Sequence, residues 1–347
     1  MAEVFGWDVG GAHVKVCRRV DGAVRDVVQW PCPLWQGLEY LQQVLDAAAV
    51  RWPGLARAAH AVTMTGEMTD LFDDRRDGAL RIAGVLAAAL PAPRFYAGDA
   101  GWCGDEALPA VWPQVASANW LAAARHAARV LAGRGGVWVD IGSTTTDFIA
   151  FTRGAVPTGS RSDAQRLARG ELVYHGVVRT PLCALARRIG WRGERLNVMN
   201  EFFATTADVY RLTGELEPAH DQHPSADGKA KDAPHTRARL ARMIGLDASD
   251  GSDDEWLSFA RAWRAEQLSE LRGQLDRVLG MAAADAGRLL VAGGCGAFLA
   301  RDLAPATAQV LDYGRDIAAI PLPGMAAWAS VCAPSVAVAA LFDEGAS

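Results

Sequence analysis

Two short segments of the chain share a pattern of residues that could bind phosphate. Residues 7–15 (WDVGGAHVK) align without a gap with residues 139–147 (VDIGSTTTD), so an Asp, an aliphatic residue and a Gly recur in register. A tight turn with glycine lets backbone N–H groups converge on phosphate oxygens, and an Asp at the end of the preceding strand can hold a hydrated Mg²⁺. One such turn is also an ordinary hairpin. Two copies predict a cleft in which both turns hold a di- or triphosphate.

The turns supply most of the side chains that could contact a phosphate or a metal ion. The phosphate candidates are the glycines, hydroxyls and cations of the two turns and one later arginine: Gly10, Gly11, Lys15, Gly142, Ser143, Thr144, Thr145 and Arg179. The candidate Mg²⁺ ligands are the carboxylates Asp8, Asp140 and Asp147, because this ion prefers oxygen ligands. Structural explanations stay open: the carboxylates could stabilise turns, Lys15 could be solvated, and Thr is favoured in strands.

The elements around these turns alternate between strands and helices. The chain opens with a strand, a glycine turn and a second strand over residues 4–16, and the same order returns over residues 137–151. Helical spacing of apolar residues predicts helices at 38–49 and 117–131, and a buried strand is expected at 60–64.

Length and the repeated opening predict an α/β protein of two lobes with a central cleft. A chain of 347 residues exceeds what one hydrophobic core usually supports. The glycine cluster at 133–136 marks the boundary, which gives a first lobe at 1–134 and a second lobe at 135–327. A polar stretch at about 215–254 predicts an inserted loop or mobile lid, and a final helix at 328–347 could pack back on the first lobe.

Composition argues against several classes of function. The net charge is −5 and the basic residues are scattered, so no nucleic-acid partner is expected. The six cysteines lie far apart without CxxC spacing, which is typical of buried thiols in a reducing compartment. The uncharged stretch 317–342 contains three prolines, so a buried helix is expected rather than a membrane span. With no signal-peptide pattern, the prediction is a cytoplasmic protein with small-molecule partners, for which a homodimer is one option.

Several segments resemble a known fold group. Both glycine turns resemble the phosphate loops of actin, sugar kinases and Hsp70, whose two lobes are duplicated ribonuclease-H-like units, and Gly293 and Gly294 resemble the nucleoside-binding turn of that group. The segment 140–147 resembles the hydantoinase and oxoprolinase branch. Three further segments narrow the resemblance to the tetrahydromethanopterin-linked one-carbon-transfer family over nearly the whole chain: 65–70 (TGEMTD), 170–181 (GELVYHGVVRTP) and 200–208 (NEFFATTAD).

The resemblance implies a specific chemistry. In this family an enzyme of methanofuran or methylofuran biosynthesis joins an aminomethyl-furan-methanol diphosphate to the phenol of a (γ-glutamyl)tyramine or tyrosine and releases pyrophosphate. The expected cofactor is Mg²⁺, which stabilises the departing charge. ATP use stays open, because Ala12 and His13 stand where many kinases carry Ser or Thr. The alternatives are an ATP-dependent small-molecule kinase, a hydantoinase/oxoprolinase-like amidohydrolase, and a non-catalytic nucleotide-binding regulatory protein.

Ether formation from a phenol calls for a base near the cleft, since the unperturbed phenol pKa is about 10. His175 is the predicted base, and Glu171 and Arg179 lie four residues to either side of it, so a helix would place all three on one face. A histidine bonded to the backbone is the structural alternative. Glu67 and Asp70 follow a buried strand, where α/β folds place ligand residues, although a helix cap explains Asp70 equally well.

Overall fold

Two β-sheets form the centre of the molecule, of which the computed structural model describes residues 3–283 and 285–345. The strands of the first sheet are β1 (Glu3–Val9), β2 (His13–Val20), β3 (Ala23–Pro31), β4 (Ala59–Met64), β5 (Arg94–Tyr96) and β6 (Trp102–Cys103). The later strands are β7 (Gly136–Ile141), β8 (Thr146–Phe151), β9 (Leu172–Val173), β10 (Arg188–Trp191), β11 (Glu194–Asn197), β12 (Leu289–Gly293) and β13 (Gln309–Asp312). Of these later strands, β10 and β11 form a separate ribbon, and the others belong to the second sheet.

The two sheets repeat one strand order. The first runs β3-β2-β1-β4-β5-β6 and the second runs β9-β8-β7-β12-β13. In each sheet an antiparallel meander of three strands is followed by two strands that lie parallel to the first strand of the meander. The expected two-lobed α/β fold of the actin, sugar-kinase and Hsp70 group is therefore confirmed.

Helices connect the strands, and several begin at a capping side chain. They are α1 (Glu39–Arg51), α2 (Arg75–Ala89), α3 (Leu108–Val115), α4 (Asn119–Val130), α5 (Asp163–Arg169), α6 (Leu182–Leu185), α7 (Thr206–Thr213), α8 (Ala233–Arg242), α9 (Asp253–Met281), α10 (Ala300–Leu303), α11 (Pro323–Val331) and α12 (Ala333–Gly345). Asp74 accepts the N–H of Asp77 at the start of α2, and Ser252 and Glu255 form a capping box at the start of α9.

Helices α4 and α12 join the two lobes. Helix α12 packs on β1, β2 and β4, and a Cβ at Gly6 would lie 2.0 Å from the Ser335 carbonyl oxygen, so this close approach requires glycine. Helix α4 contacts α12 as well as β7 and β8 of the second sheet, and the lobes share one apolar core there. Because α4 falls within the residues predicted for the first lobe, the boundary at residue 134 stays a prediction.

The polar stretch at 215–254 contains a packed helix that its composition did not predict. Helix α8 lies in it and joins a buried cluster that includes Trp256. The charged groups around α8 pair with one another: the fully buried Arg239 bonds Asp208 at 2.8 Å and Asp227 at 3.0 Å. A polar composition can therefore reflect internal ion pairing as well as solvated loops.

Within residues 3–283 and 285–345, no single helix has the length and apolar content needed to cross a membrane. Helices α11 and α12 would meet that test only when taken together, and they are bent by 94° at the break between them.

Candidate functional site

The two glycine turns have the same geometry and face one cavity. The N–H of Gly10 donates to the carbonyl of His13 at 2.9 Å, and the N–H of Gly142 donates to the carbonyl of Thr145 at 2.8 Å. Both turns line a cavity of about 350 Å³, called the cleft cavity below. The repeated motif in the sequence thus corresponds to two structurally equivalent turns on a shared space.

Most of the predicted ligand residues line the cleft cavity. They are Asp8, Gly10, Gly11, Lys15, Asp140, Gly142, Ser143, Thr144, Thr145, Asp147 and Arg179. Backbone N–H groups, hydroxyls, carboxylates and two cations therefore surround one space. The roles predicted for these residues in ligand binding stay predictions.

Two buried carboxylates and a lysine form one side of the cleft cavity. Lys15 Nζ lies 3.8 Å from Asp8 Oδ2, its cross-strand neighbour. Burial raises the pKa of Asp140 to about 7. Lys15 opposes this rise, whereas Asp147 and Asp8 add to it. Burial likewise raises the pKa of Asp8, again against Lys15. Burial lowers the pKa of Lys15, but Asp8 and Asp140 outweigh this effect and the net shift is upward.

Asp8 and Asp140 are the carboxylates that fit a Mg²⁺ ion. Asp8 Oδ1 is buried and has no hydrogen-bond partner among the described residues. Mg²⁺ commonly binds through one or two carboxylates together with substrate phosphates. Asp147 differs, because Arg166 pairs with it. In the described ranges no group of three or more His, Cys, Asp or Glu side chains is arranged to hold a metal ion, so the phosphates of a ligand would have to complete the site.

Sequence reasoning passed over His13, which lines the cleft cavity. Its side chain is buried, and no group in the described part of the chain bonds its Nε2. The His223 ring packs against it with centroids 4.7 Å apart, and His223 Nε2–H donates to the Ala12 carbonyl at 2.8 Å. Nearby, Arg179 lies 4.8 Å over the Trp35 ring. His13, which stands where many kinases carry Ser or Thr, thus contributes an unpaired nitrogen to the cavity.

We expect the His13 imidazole to be neutral at pH 7 and to hold a proton more tightly when pyrophosphate binds. Burial lowers its pKa well below the usual value, and His223, Lys15 and Arg179 lower it further. A bound polyanion favours the charged imidazole, so the pKa should then rise. NMR of ¹⁵N-histidine-labelled protein measures both states, with His13→Asn to assign the signal. A His13 signal that titrates between pH 6 and 8 without ligand would contradict this expectation.

Glu67 lies behind the wall of the cleft cavity rather than on it. The side chain is 1% exposed, and Ser117, which lines the cavity, places its Oγ 2.7 Å from Glu67 Oε1 and 3.0 Å from Asp163 Oδ2. Arg75 lies 3.4 Å from Glu67 Oε1. Burial raises the pKa of Glu67, opposed by Ser117 and Arg75. No sequence motif links Ser117 with Asp163, because only the fold brings them together.

The helix that would place Glu171, His175 and Arg179 on one face is not formed. Gly170 ends α5 in a left-handed conformation, and β9 and an irregular turn follow. Arg179 reaches the cleft cavity, whereas His175 and Glu171 are not among the residues that line it. His175 is half-buried, which lowers its pKa, and Glu171 accepts a hydrogen bond from Thr158 at 2.8 Å. The geometry therefore does not favour His175 as the base.

Asp70 and the Gly-Gly turn are also not among the residues that line the cleft cavity. Asp70 is exposed and does not cap α2, because Asp74 is the residue that caps this helix. A Cβ at Gly293 would lie 2.2 Å from the Trp138 ring, and one at Gly294 would lie 2.2 Å from the Ile141 carbonyl oxygen. Both glycines therefore allow β12 to pack closely against β7 and the second turn.

Comparison with known proteins identifies related sequences. The (4-{4-[2-(γ-L-glutamylamino)ethyl]phenoxymethyl}furan-2-yl)methanamine synthase of Methanocaldococcus jannaschii is 27% identical over 276 residues, which cover 79% of this chain and 81% of that protein. The protein of the same name from Methanococcus vannielii is 32% identical over 124 residues, which cover 36% of this chain and 55% of that protein.

A solved structure and a family model extend the comparison to nearly the whole chain. The nucleotide-free structure of acetone carboxylase, described with ATP-dependent acetone carboxylation, superposes with a TM-score of 0.55 at 11% identity over 96% of this chain and 70% of that chain. At this identity the likeness supports the fold alone. The sequence model of the hydantoinase/oxoprolinase family matches residues 61–344. The chain therefore belongs to the hydantoinase/oxoprolinase family.

Proposed function

We propose that this protein is a transferase that joins an aminomethyl-furan-methanol group, carried as a diphosphate ester, to the phenol of a (γ-glutamyl)tyramine or tyrosine and releases pyrophosphate. The observation that carries the proposal is the pair of equivalent glycine turns on one cavity. The name of the two archaeal relatives supports it, because a phenoxymethyl-furan amine contains the ether bond that this reaction forms. The proposal places the enzyme in methanofuran or methylofuran biosynthesis.

The cleft cavity has the groups needed to hold a diphosphate. Backbone N–H groups of both turns and the hydroxyls of the second turn can donate to phosphate oxygens. Lys15 and Arg179 supply positive charge. Asp8 and Asp140 would hold Mg²⁺, which when bound neutralises part of the charge of the diphosphate. Because two carboxylates alone would repel the ligand, we expect diphosphate binding to need the divalent ion.

The proposed reaction exchanges one carbon–oxygen bond for another. The bond between the ring methylene carbon and the diphosphate breaks, and the diphosphate leaves with the electron pair. The furan ring stabilises positive charge on that carbon, the phenolic oxygen bonds to it, and the phenol loses its proton. Donors and cations of the cleft cavity lower the barrier because they stabilise the charge that develops on the leaving oxygen.

Pyrophosphate release without ATP tests the proposal. Wild-type protein with Mg²⁺, the furan diphosphate and γ-glutamyltyramine or tyrosine should release pyrophosphate and form the aryl ether, as detected by mass spectrometry. EDTA should suppress both products. Lys15→Met should lower the rate by about 100-fold or more, since it removes charge beside the diphosphate. Lys229→Met, a change of an exposed lysine outside the cavity, is the matched control.

Two results would overturn the proposal. The first is no ether from either acceptor under these conditions. The second is formation of ADP and a phosphorylated product when ATP is supplied, which would identify the ATP-dependent kinase alternative.

A further inference from the structure

A second cavity lies beside the cleft cavity and shares two residues with it. Its volume is about 540 Å³, and Ser117 and Asp163 line both spaces. Pro113, Trp120 and Leu121 contribute to its apolar wall. The space, called the acceptor cavity below, lies within the size range of small-molecule sites and can take a substituted aromatic ring.

Two polar atoms of the acceptor cavity lack hydrogen-bond partners among the described residues. Ser160 is 1% exposed and lines the cavity, yet no group in the described ranges bonds its Oγ. Arg75 and Arg161 line it as well, and Arg75 Nε is also unpaired among the described residues. Buried polar groups in proteins are normally hydrogen-bonded, so these groups are suited to a polar ligand. An aromatic ring with an amide-containing tail matches the apolar wall and these two unpaired polar atoms.

The wall between the cavities contains a strained serine. Ser117 has a φ of +51°, in the left-handed region that non-glycine residues rarely adopt and that often marks functional sites. Its Oγ lies within hydrogen-bond distance of both Glu67 and Asp163. One hydroxyl hydrogen cannot bond both carboxylates at once. The hydroxyl therefore lies in a chain along which a proton can pass from the cavity wall to a buried carboxylate.

We propose that the acceptor cavity binds the aromatic ring of the phenolic acceptor and that Ser117 relays the phenolic proton to Glu67. The inference rests on the proposed function. As the phenolic oxygen bonds to the methylene carbon and the diphosphate leaves, the phenolic proton moves to Ser117 Oγ and the hydroxyl proton of Ser117 moves to the Glu67 carboxylate. The products are the ether, pyrophosphate and a protonated Glu67, which returns its proton to solvent.

The surroundings of Glu67 suit it to accept a proton. Burial raises its pKa, Asp163 adds to the rise, and Ser117 and Arg75 oppose it. Tyr174, which lines the cleft cavity, also interacts electrostatically with Glu67. A carboxylate with a raised pKa is a stronger base than a solvated one. Glu67 can therefore accept the proton, and the reaction does not require a histidine base in the cavity wall.

Ser117→Gly tests the relay without straining the fold, because glycine adopts a positive φ freely. This variant should remain folded and should match the wild-type protein in its calorimetric affinity for Mg²⁺-pyrophosphate, while kcat for ether formation falls by about 100-fold or more. Glu67→Gln should lower kcat similarly with an unchanged KM for the diphosphate. Wild-type kcat in Ser117→Gly would overturn the relay. Absence of ether in the wild-type protein would overturn the proposed function and the relay with it.

Binding of γ-glutamyltyramine tests the acceptor cavity separately. Ala100 is exposed and lines this cavity, so Ala100→Trp should fill it without disturbing the core. Calorimetry without any diphosphate should show binding to the wild-type protein and at least about tenfold weaker binding to Ala100→Trp, since the indole would occupy the space of the acceptor ring. Ala56→Trp, at an exposed alanine outside both cavities, should bind as the wild type does. Equal affinity in both variants, or no binding to the wild type, would overturn the assignment of the cavity.

Discussion

Asp140→Asn is expected to make the protein more stable above pH 7 while lowering its proposed activity by about 100-fold or more. Burial, with Asp147 and Asp8 nearby, raises the pKa of Asp140 to about 7, compared with 3.8 in the unfolded chain. Between these two pH values the folded protein binds the proton more tightly, so stability falls as pH rises through this window and the full penalty is present above pH 7. A difference of this size corresponds to a penalty on the order of 4 kcal/mol. The Asp140→Asn substitution removes this penalty, and it also removes a carboxylate that fits Mg²⁺.

Thermal unfolding at pH 5 and pH 8 measures the effect on stability. The gain in Tm for Asp140→Asn should be larger at pH 8 than at pH 5, because the wild-type carboxyl is protonated at the lower pH. Asp73→Asn, at an exposed aspartate, should leave the Tm nearly unchanged at both pH values. A lower Tm for Asp140→Asn than for the wild type at pH 8 would contradict the expectation.

Arg166→Met is expected to cost about 3–5 kcal/mol of stability near neutral pH, the range seen when one partner of a buried ion pair is removed. The side chain is 3% exposed, pairs with Asp147, lies 3.1 Å from Asp163 and packs 4.5 Å from the Trp120 ring. Its removal leaves two buried carboxylates without this cation. Burial raises the pKa of Asp147, so this carboxyl can take up a proton at low pH and the loss of stability should shrink as pH falls towards 4.

Urea unfolding at pH 7.5 and pH 4.5 measures this change. Arg169→Met is the matched control, because Arg169 lies on the same helix with a side chain that is 43% exposed and should cost less than about 1 kcal/mol. A loss for Arg166→Met that is equal at both pH values would show that packing on Trp120, rather than charge pairing, accounts for the effect.

The sequence was most informative where function depends on local backbone geometry. The two turns could be identified because a short stretch holds the Asp, the Gly and the following strand, and the same stretch occurs twice. The repeat also predicted that the second lobe opens as the first does, and the two sheets share one strand order. Local motifs of this kind can be identified in a sequence without any knowledge of tertiary contacts.

The proposed acceptor side of the site depends on contacts between distant parts of the chain. Ser117 and Asp163 are 46 residues apart and meet only after the lobes assemble. The four-residue spacing of Glu171, His175 and Arg179 suggested a helix, but Gly176 and the β-branched Val177 and Val178 favour the extended turn that the structure has. His13 was passed over because nothing in its own segment shows that its nitrogen is buried and unpaired.

The contact of Gly6 with Ser335 constrains how the chain can fold as it is synthesised. Helix α12, which covers β1, begins about 320 residues after β1 ends. Large proteins commonly fold from the N-terminus as each domain leaves the ribosome. Here the central strand of the first lobe must wait for the far end of the chain, so the nascent protein carries an uncovered apolar sheet face through most of translation.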